Sequence, residues 1–339
     1  MIENIILNDL EIINNNYLFL FILLSLLFSF AFDVIFGEIP GKIHPVVLMG
    51  SIINFFKKHL INIRNKWSGF LLYVFCVFTV SLILFIIYLI FRFNFILFTL
   101  MFIILLSSTF SFKMLMNTAI DVRNDLNESI DKARRSVSYL VSRNTDELTE
   151  EFIVSATIES LTENITDSFV APIFYYFLFA AVILIYSMPY QLYLLLLIPI
   201  IYRLSNTLDA MVGYENDELK YIGFFPAKID DLLNYIPSRI AGIYVVLSAY
   251  LLGYDGKNSF KIMKRDARNC PSPNSGYTMA TTAGALNIQL IKKDTYILGD
   301  DIKPIETSDI SKAVKLSKLT LILFTITIIL LLILIHVIL

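Results

Sequence analysis

Three acidic residues separated by four positions precede a long apolar block. Glu159, Glu163 and Asp167 fall at positions i, i+4 and i+8, so a helix would place their carboxylates on one face. Like charges at this spacing disfavour a helix. A bound cation would relieve the repulsion, because carboxylate oxygens are ligands that Mg²⁺ prefers. The alternative explanation is a solvated helix face that binds nothing.

A second acidic group lies farther along the chain. Asp209 directly follows another apolar block, and Asp230 and Asp231 are adjacent to one another. Neighbouring residues point to different faces of a helix, so one of the two can bind a metal ion while the other pairs with Lys228 or Arg239. An ordinary interfacial helix with a basic anchor is the alternative.

Basic residues next to a predicted turn are candidate phosphate ligands. Residues 272–276 have the composition of a turn, and Lys264, Arg265 and Arg268 upstream could meet phosphate. Residues 283–285 are small and permit close approach of backbone or ligand. A plain surface loop would explain the turn equally well.

Two further patterns are weaker. His44 precedes a proline just after the first apolar block, where a lone histidine is more often structural than catalytic. Asn117, Asp121 and Asp125 are spaced by four and loosely resemble the Asp-rich Mg²⁺–pyrophosphate motifs of membrane prenyltransferases. Only one such motif is present, so the pattern has little weight by itself.

The composition indicates that these residues belong to an integral membrane protein. The chain has 339 residues, of which 57% are hydrophobic and only 17% are charged, well away from the balance of a soluble domain. The net charge of −2 gives no field that would attract nucleic acid. Two cysteines and three scattered histidines do not support a thiolate cluster or a His-rich metal site. Acidic residues before the first apolar block argue against a cleaved signal peptide.

The apolar blocks predict an all-α, polytopic membrane protein that forms a single domain over residues 1–339. About 20 apolar residues are needed to cross the bilayer. We predict six crossings, at about 17–36, 70–91, 93–112, 169–188, 190–202 and 319–339. Helical polar segments lie between them, at 37–69, 113–168, 203–235 and 255–318.

Lysine and arginine counts set the predicted orientation. Segments 37–69, 113–168 and 255–318 are rich in both and are placed in the cytoplasm, while the acidic N-terminal tail is placed outside. This scheme makes 169–202 a hairpin that turns at Pro189 and leaves 236–253 at the interface. A rival scheme makes 169–202 one crossing and 236–253 another. We prefer the first, because it puts all polar motifs on one face of the cell membrane.

Taken together, the polar segments resemble the adenosylcobinamide(-phosphate) synthase family of cobalamin biosynthesis. The ordered set covers most of the chain and is far more specific than any of its parts. The matching residues include Asp33, Gly37, Pro40, His44-Pro45-Val46, Gly50, Ala133-Arg134-Arg135, Arg143, Ile158-Glu159-Ser160, Glu163-Asn164, Asp167, Ala171-Pro172, Asn206-Thr207-Leu208-Asp209, Met211-Val212-Gly213, Asp230-Asp231, Asn234, Ile236-Pro237, Arg239, Arg265-Asp266, Ser272-Pro273-Asn274, Gly276 and Ala283-Gly284-Ala285-Leu286. One departure is residues 290–293, Leu-Ile-Lys-Lys, where the family pattern has a Gly-rich turn.

The resemblance implies a membrane enzyme that joins adenosylcobyric acid to aminopropanol or its O-phosphate through an amide bond. It also implies ATP and Mg²⁺ as co-reactants. A corrinoid, the amine and membrane lipid are the expected partners. Other enzymes of the pathway are candidate partners, and no nucleic acid is expected.

Amide synthesis requires activation of the carboxylate, and we hypothesise an acyl phosphate formed from ATP. Mg²⁺ and cationic groups then neutralise the developing charge. The candidate catalytic residues are Glu159, Glu163, Asn164, Asp167, Asp209 and Asp231. The candidate metal ligands are Glu159, Glu163, Asp167 and Asp230. The candidate substrate and phosphate ligands are His44, Arg134, Arg135, Arg143, Arg239, Arg265, Ser272 and Asn274. With histidine so scarce, a carboxylate is the expected base, and we choose Glu163.

Two other functions fit the same sequence. One is a prenyltransferase-like membrane transferase that uses the motif around Asp121. The other is a transporter or a non-catalytic scaffold that handles the corrinoid. The clearest spans argue against transport, because ion pathways usually need ionisable groups at depth.

Overall fold

A computed structural model describes residues 15–141, 143–186, 188–214 and 217–339. The acidic residues on which the predicted position of the N-terminal tail depends, Glu3, Asp9 and Glu11, lie outside these ranges. The helices in chain order are α1 Asn15–Phe36, α2 Pro45–Leu60, α3 Trp67–Phe91, α4 Phe95–Ser107, α5 Lys113–Glu128, α6 Ile130–Ser138, α7 Glu150–Ile165, α8 Ala171–Ile185, α9 Gln191–Val212, α10 Phe224–Leu233, α11 Tyr235–Leu251, α12 Gly256–Asp266, α13 Gly276–Leu286 and α14 Thr307–Ile338.

Long apolar helices confirm the predicted all-α, polytopic membrane fold. Five helical stretches among the described residues are long and apolar enough to cross a bilayer: α1, α3, the continuous stretch Glu150–Ile185, α9 and α14. Large apolar side chains such as Phe28, Phe78 and Ile90 are more than half exposed on these helices. Exposed apolar surface on a spanning helix is the surface that lipid covers.

The helix α4 is shorter than the predicted crossing at 93–112. It has 13 residues, so it is about 20 Å long against a hydrocarbon core of about 30 Å. Asn94 caps its N-terminus by accepting a hydrogen bond from Leu97 N at 3.1 Å. Ser108 and Thr109 at its other end donate to carbonyls of the last turn. The Asn94 cap fixes where the helix begins, and the two hydroxyls at its other end compete for carbonyls that a longer helix would use.

Proline and polar residues shape the predicted hairpin at 169–202. The helix α8 ends at Ile185 and α9 begins at Gln191, so a break lies around Pro189, where the sequence predicts a turn. The helix α9 continues beyond the predicted end at residue 202, as far as Val212. The polar residues that follow the apolar block are therefore helical rather than part of a loop.

A π-helical turn, Thr166–Val170, joins α7 to α8. Within it, Ala171 N donates to Thr166 O, five residues back. Pro172 follows directly and has no N–H to donate, which makes an ordinary α-turn unfavourable at this point. The widened turn lets the acidic helix α7 continue without interruption into the apolar helix α8.

The segment predicted to lie at the interface, 236–253, forms α11. Together, α10 and α11 are long and apolar enough to form one broken span or a re-entrant segment. The chain bends by 46° between the two helices. Pro237 cannot donate to the carbonyl of Leu233, four residues back. The Tyr175 hydroxyl donates to Leu233 O instead, at 2.8 Å, and so satisfies the carbonyl at the end of α10.

Contacts divide the described residues into two compact units, whereas the sequence predicts one domain. The first unit contains the described residues of Met1–Ser111, Pro172–Leu233 and Thr327–Leu339. The second unit contains those of Phe112–Ala171 and Asn234–Ile326.

The second unit holds the acidic helix α7 in a small apolar core. Val122 of α5, Ala133 and Val137 of α6, and Ile153 and Ala156 of α7 are all buried against one another. Burying apolar surface in this way contributes about 25 cal/mol per Å², and it fixes one face of α7 to its neighbours. The polar residues of α7 described below are not members of this apolar cluster.

Two further elements of the second unit pack by close backbone approach. A Cβ at Gly284 of α13 would lie 2.7 Å from Asn258 O of α12, so only glycine fits there. Asn258 Nδ2 donates to Gly284 O at 3.1 Å. The small residues at 283–285 thus permit close approach of backbone, one of the two uses that the sequence predicts.

A short hairpin completes the second unit and departs from the predicted purely helical polar segments. Its strands are β1 Leu290–Lys292 and β2 Tyr296–Leu298, which pair antiparallel with Lys292 opposite Tyr296. Asp294 in the connecting turn has a φ of 56°, the left-handed conformation that such a tight turn requires.

Candidate functional site

Glu159 of α7 is a buried carboxylate with three hydrogen-bond donors. It is 4% exposed. Ser155 Oγ donates to Oε1 at 2.6 Å, and the Tyr296 hydroxyl donates to Oε2 at 2.9 Å. Arg143 Nη2 lies 3.4 Å from both carboxylate oxygens. A buried charge is tolerated only when it is paired and hydrogen-bonded, so these partners are what allow an ionised Glu159 here.

The hairpin is attached to α7 through the same group. Ile291 N of β1 donates to Ser155 Oγ at 2.9 Å, and Ser155 Oγ donates a hydrogen bond to the carboxylate of Glu159. Neighbouring residues of a strand point to opposite sides, so Lys292 and Ile291 face different surroundings. The hairpin thereby brings the Tyr296 hydroxyl to the carboxylate.

These residues enclose a cavity of about 110 Å³ in the second unit. Its lining residues are Leu140, Val141, Arg143, Glu159, Ser160, Glu163, Lys292 and Tyr296. At roughly 30 Å³ per water molecule, the cavity has room for about four waters. Pockets for drug-sized ligands are about 300–1,000 Å³. The cavity therefore suits a small polar group and is too small for a nucleotide or a corrin ring.

Burial keeps two acidic side chains near this cavity in their neutral forms. Burial raises the pKa of the Tyr296 phenol above its usual range, and the adjacent Glu159 carboxylate raises it further. Tyr296 therefore stays protonated and remains a donor. Burial also raises the pKa of the Cys270 thiol to about 12, so Cys270 is not a thiolate nucleophile at neutral pH.

The structure brings two of the three spaced carboxylates to the cavity. Glu163 lines it together with Glu159, whereas Asp167 lies in the π-helical turn and is not among its lining residues. Asn164 is engaged within the helix: its Nδ2 donates to Ser160 O at 2.9 Å, and its Oδ1 accepts from Ser168 Oγ at 3.2 Å. A catalytic role for Asn164 or Asp167 stays a prediction.

The predicted metal ligands do not form a preformed cluster. Among the described residues, no group of three His, Cys, Asp or Glu side chains could hold a metal ion. Glu159 is surrounded by three donors, one of them a guanidinium, which does not suit a dication. Magnesium sites in nucleotide enzymes commonly use one or two protein carboxylates together with substrate phosphates. Metal binding by Glu159, Glu163, Asp167 or Asp230 stays a prediction.

Arg143 is the one arginine of the predicted phosphate ligands that lines this cavity. Arg134 donates from Nε to Leu148 O at 3.0 Å and from Nη1 to Asp131 Oδ1 at 3.0 Å, so it holds the segment after α6. Arg135 is exposed on α6. Phosphate binding by Arg134 or Arg135 is untested.

Arg239, Ser272 and Asn274 meet elsewhere in the second unit. The Arg239 guanidinium lies between two tyrosine rings, 3.5 Å from the centroid of Tyr235 and 4.3 Å from that of Tyr277. Its Nη1 donates to Asn274 Oδ1 at 2.9 Å, and Ser272 Oγ accepts from Asn274 N at 3.3 Å. The predicted turn is therefore held by side chains that were predicted to bind phosphate.

Arg265 is also engaged by protein acceptors. It makes a two-pronged ion pair with Asp266, through Nε at 2.7 Å and Nη2 at 2.8 Å. Its Nη1 donates to Asp300 Oδ1 at 2.6 Å. Gly299 N donates to Asp266 Oδ2 at 2.8 Å, so this group fixes the end of the hairpin to α12. Phosphate binding by Arg265 stays a prediction, and it would require these bonds to open.

The first unit contains a separate polar group on α9 and α10. Asn206 Nδ2 lies 3.4 Å from Oδ1 of the buried Asp230, and Arg203 Nη1 lies 3.4 Å from Asn206 Oδ1. Asp231 pairs with Lys228 at 3.9 Å, as predicted for one of the two adjacent aspartates. This pair is mostly exposed and contributes little stability.

Asp209 lies on α9, near the carboxylate of Asp231. Its backbone carbonyl accepts from Gly213 N at 2.7 Å, which closes the last turn of the helix. Asp209 and Asp231 thus lie in one unit with Asp230, and their catalytic role stays a prediction.

His44 acts as the N-cap of α2. Its Nδ1 accepts from Val46 N at 3.1 Å, and Pro45 occupies the first helical position. Burial lowers the pKa of His44, which favours the neutral imidazole that can accept this bond. The sequence predicts a substrate-binding role, which remains untested beside this structural one.

The residues of the prenyltransferase alternative lie on α5. Asn117 and Asp121 are exposed on α5. Asp125 accepts a short hydrogen bond from Ser136 Oγ, which joins α5 to α6. This hydrogen bond gives Asp125 a structural role, and pyrophosphate binding by α5 stays a prediction.

Sequence reasoning did not include Ser155, Lys292 or Tyr296 among the site residues. Ser155 lies four residues before Glu159, a spacing that could have suggested a partner on the same helix face. Lys292 falls in the segment noted as a departure from the family pattern. Tyr296 is 137 residues from Glu159 in sequence, and no local signal connects the two.

Comparison with known proteins agrees with these features. The family model described as CobD/Cbib protein matches residues 26–317. The "Probable cobalamin biosynthesis protein CobD" of Methanothermobacter thermautotrophicus is 46% identical over 300 residues, which cover 88% of this chain and 94% of that protein. The protein of the same name from Methanocaldococcus jannaschii is 36% identical over 293 residues, covering 84% and 90%.

A bacterial protein is also similar. The "Cobalamin biosynthesis protein CobD" of Clostridium perfringens is 35% identical over 308 residues, which cover 86% of this chain and 91% of that protein. No solved structure matches the chain. A multi-pass helical fold, the ordered polar motifs and a family match over most of the length lead to one conclusion: the chain belongs to the CobD/Cbib family of cobalamin biosynthesis proteins.

Proposed function

We propose that this protein forms the amide bond between adenosylcobyric acid and aminopropanol or its O-phosphate, with ATP and Mg²⁺ as co-reactants. The family and the names of its relatives support a step of cobalamin biosynthesis. The observation that supports an amine-using step is the small cavity lined by Glu159 and Glu163. Two carboxylates in a cavity of this size can hold a primary ammonium group and remove its proton.

The first chemical step activates the corrinoid carboxylate. One of its oxygens attacks the γ-phosphorus of ATP, the bond from that phosphorus to the bridging oxygen breaks, and ADP leaves. The product is an acyl phosphate, whose carbonyl carbon no longer carries the repelling charge of a carboxylate. Mg²⁺ carried by the ATP phosphates would neutralise charge on the transferred group.

The second step joins the amine. An ammonium cannot attack, so a carboxylate must first take its proton. We assign this role to Glu163, which lines the cavity one helical turn beyond Glu159. The amine nitrogen then attacks the acyl carbon, the carbon–oxygen bond to phosphate breaks, and phosphate leaves. Glu159 lines the same cavity, and its carboxylate would attract the ammonium of the amine.

The test is turnover by the purified protein in detergent or nanodiscs. Adenosylcobyric acid, the amine and Mg-ATP should yield ADP, phosphate and a corrinoid whose mass is that of the amide. We expect Glu163→Gln to lower kcat at least 100-fold, within the usual contribution of general base catalysis. Glu147→Gln, at an exposed residue before α7, is the matched control and should retain full activity.

Two results would contradict this proposal. If folded wild-type protein binds the corrinoid but forms no amide product, the assigned reaction is wrong. Near-normal kcat in Glu163→Gln would leave the reaction but remove Glu163 as its base. Growth of a strain blocked at cobyric acid amidation, rescued by the wild-type chain, tests the reaction independently in cells.

A further inference from the structure

The segment between the first two spanning helices lies at one surface of the membrane. Both α1 and α3 are long and apolar enough to cross the bilayer, so the residues between them join two spans on a single side. The helix α2 in this segment has 16 residues and is about 24 Å long, short of the hydrocarbon core of about 30 Å. Its last turn carries Lys57 and Lys58, which are costly to place inside the bilayer. The helix therefore stays at the surface where α1 ends and α3 begins.

The exposed apolar side chains of α2 continue the lipid-facing surface of α3. Met49 and Ile53 are buried within the first unit, whereas Phe55 is more than half exposed. Phe56 stacks on Phe75 of α3, with ring centroids 5.5 Å apart, and Phe75 is itself exposed. An exposed apolar face that adjoins a spanning helix is covered by the acyl chains at the membrane interface.

Four cations follow at the end of α2 and in the loop to α3. They are Lys57, Lys58, Arg64 and Lys66. The sequence contains no aspartate or glutamate between Glu38 and Asp121. In the part of the chain that the structure describes, no carboxylate lies within 4.0 Å of the charged nitrogens of these four side chains. The described residues thus provide no counter-charge, and the four cations are available to anions of the membrane surface.

Aromatic residues place this basic segment at the level of the lipid headgroups. Lys66 Nζ lies 3.7 Å from the centroid of the Phe224 ring. Trp67, the single tryptophan of the chain, is the first residue of α3 and is 69% exposed. Its ring packs edge-on against Phe70, with centroids 5.8 Å apart. Exposed tryptophans at the ends of spanning helices lie at the membrane–water interface, where the lipid phosphates also lie.

We propose that residues 57–66, together with Trp67, bind the phosphate headgroups of anionic membrane lipids. Each basic residue near an anionic membrane surface strengthens the attraction about fivefold, and four of them act together here. A zwitterionic headgroup has the same phosphate, but its own ammonium opposes the attraction. A soluble acidic protein would match the charge but not the exposed rings of Phe55 and Trp67, which suit acyl chains. The inference does not depend on the proposed amide-forming reaction.

The single tryptophan allows a direct test, because it lies in the proposed site. The purified protein is reconstituted in mixed bilayers of phosphatidylglycerol and phosphatidylcholine, in which one lipid or the other carries brominated acyl chains. Bromine quenches tryptophan fluorescence only on close approach, so the two quenching curves give the relative binding constant of the two lipids at Trp67. We expect phosphatidylglycerol to be preferred about tenfold or more at low ionic strength.

Two comparisons assign that preference to the basic segment. The double variant Lys58→Gln with Arg64→Gln removes two exposed charges of the site and should bring the preference close to one. Lys257→Gln with Lys261→Gln makes the same change of charge at exposed residues of α12 and should keep the wild-type preference. In wild-type protein, raising NaCl to about 1 M shortens the Debye length to about 3 Å and should remove most of the preference without any substitution.

Several results would overturn the inference. One is equal quenching of the wild-type protein by the two brominated lipids. Others are a preference that survives in the double variant, falls equally in the control pair, or persists at high salt. Binding of soluble polyglutamate that is lost in the double variant, while the two lipids quench equally, would assign the cations to an acidic protein partner instead.

Discussion

At the scale of single residues, the main feature is the buried ion pair between Glu159 and Arg143. Glu159 depends on Arg143 for charge and on Ser155 and Tyr296 for hydrogen bonds. Removing one partner of such a pair leaves an uncompensated buried charge, which is far worse than removing both. The arrangement is therefore better evidence for a required charge at Glu159 than for a gain in stability.

We expect Arg143→Met to destabilise the protein by about 3 kcal/mol, near the lower end for breaking a buried pair. The double variant Arg143→Met with Glu159→Gln should recover much of that loss, because no charge is left behind. Thermal unfolding in detergent measures both, and Arg135→Met at an exposed site is the control. Simple addition of the two single losses in the double variant would show that the two residues do not interact.

Only part of this residue arrangement could be predicted from sequence. Glu159, Glu163 and Arg143 were selected because acidic spacing and family motifs identify them without knowledge of the fold. Tyr296 and Lys292 depend on a hairpin more than a hundred residues away, and nothing local to Glu159 indicates it. The partners of Arg265 and Arg134 could not be predicted either, since a basic residue looks the same in sequence whether it binds ligand or protein.

At the scale of elements, Ser155 connects a helix to the hairpin. It accepts from Ile291 N and donates to Glu159, so the same hydroxyl fixes the hairpin and orients the carboxylate. The long helices could be predicted because long runs of apolar residues indicate them. The hairpin was missed because its three-residue strands are too short to show the alternation that identifies a strand. The shortening of α4 was missed because it depends on the side-chain caps around Asn94.

We expect Ser155→Ala to loosen the hairpin and to cost about 1–3 kcal/mol, since it leaves one acceptor and one N–H without partners. Hydrogen–deuterium exchange of a peptide covering 290–298 should speed up, and Ser155→Thr, which keeps the hydroxyl, should restore part of the protection. Ser138→Ala, at an exposed residue of α6, should change nothing. Unchanged exchange in Ser155→Ala would mean that packing alone holds the hairpin.

At the scale of the whole molecule, the chain is a multi-pass membrane protein with long apolar helices and dense polar segments. The fold class followed from composition, because no soluble protein needs so many uncharged residues in unbroken blocks. The number of crossings was harder to predict, since proline, serine and asparagine at helix ends decide it. We propose that the protein lies in the cell membrane with its basic segments, and the site in the second unit, toward the cytoplasm.

Cysteine labelling tests this orientation. Tyr139 and Phe93 are 88% and 73% exposed, and the two native cysteines are buried, so the background reaction is low. We expect a membrane-impermeant maleimide to label Phe93→Cys in intact cells and Tyr139→Cys only in inverted vesicles, because lysine- and arginine-rich loops stay inside. The reverse pattern would place the polar segments outside, away from cytoplasmic ATP.

The tight hairpin has a consequence for variation among relatives. Side chains alternate along β1, so a shift of one residue would exchange the ammonium of Lys292 for the methyl groups of Ile291. That shift is prevented by the number of residues in the turn around Asp294, whose left-handed backbone fixes how the strands align. Insertion or deletion of a single turn residue would therefore change which side chain of β1 lines the cavity, even with every residue type retained. The length of this loop therefore helps to decide which side chains line the cavity, and a comparison of residue types alone would not show it.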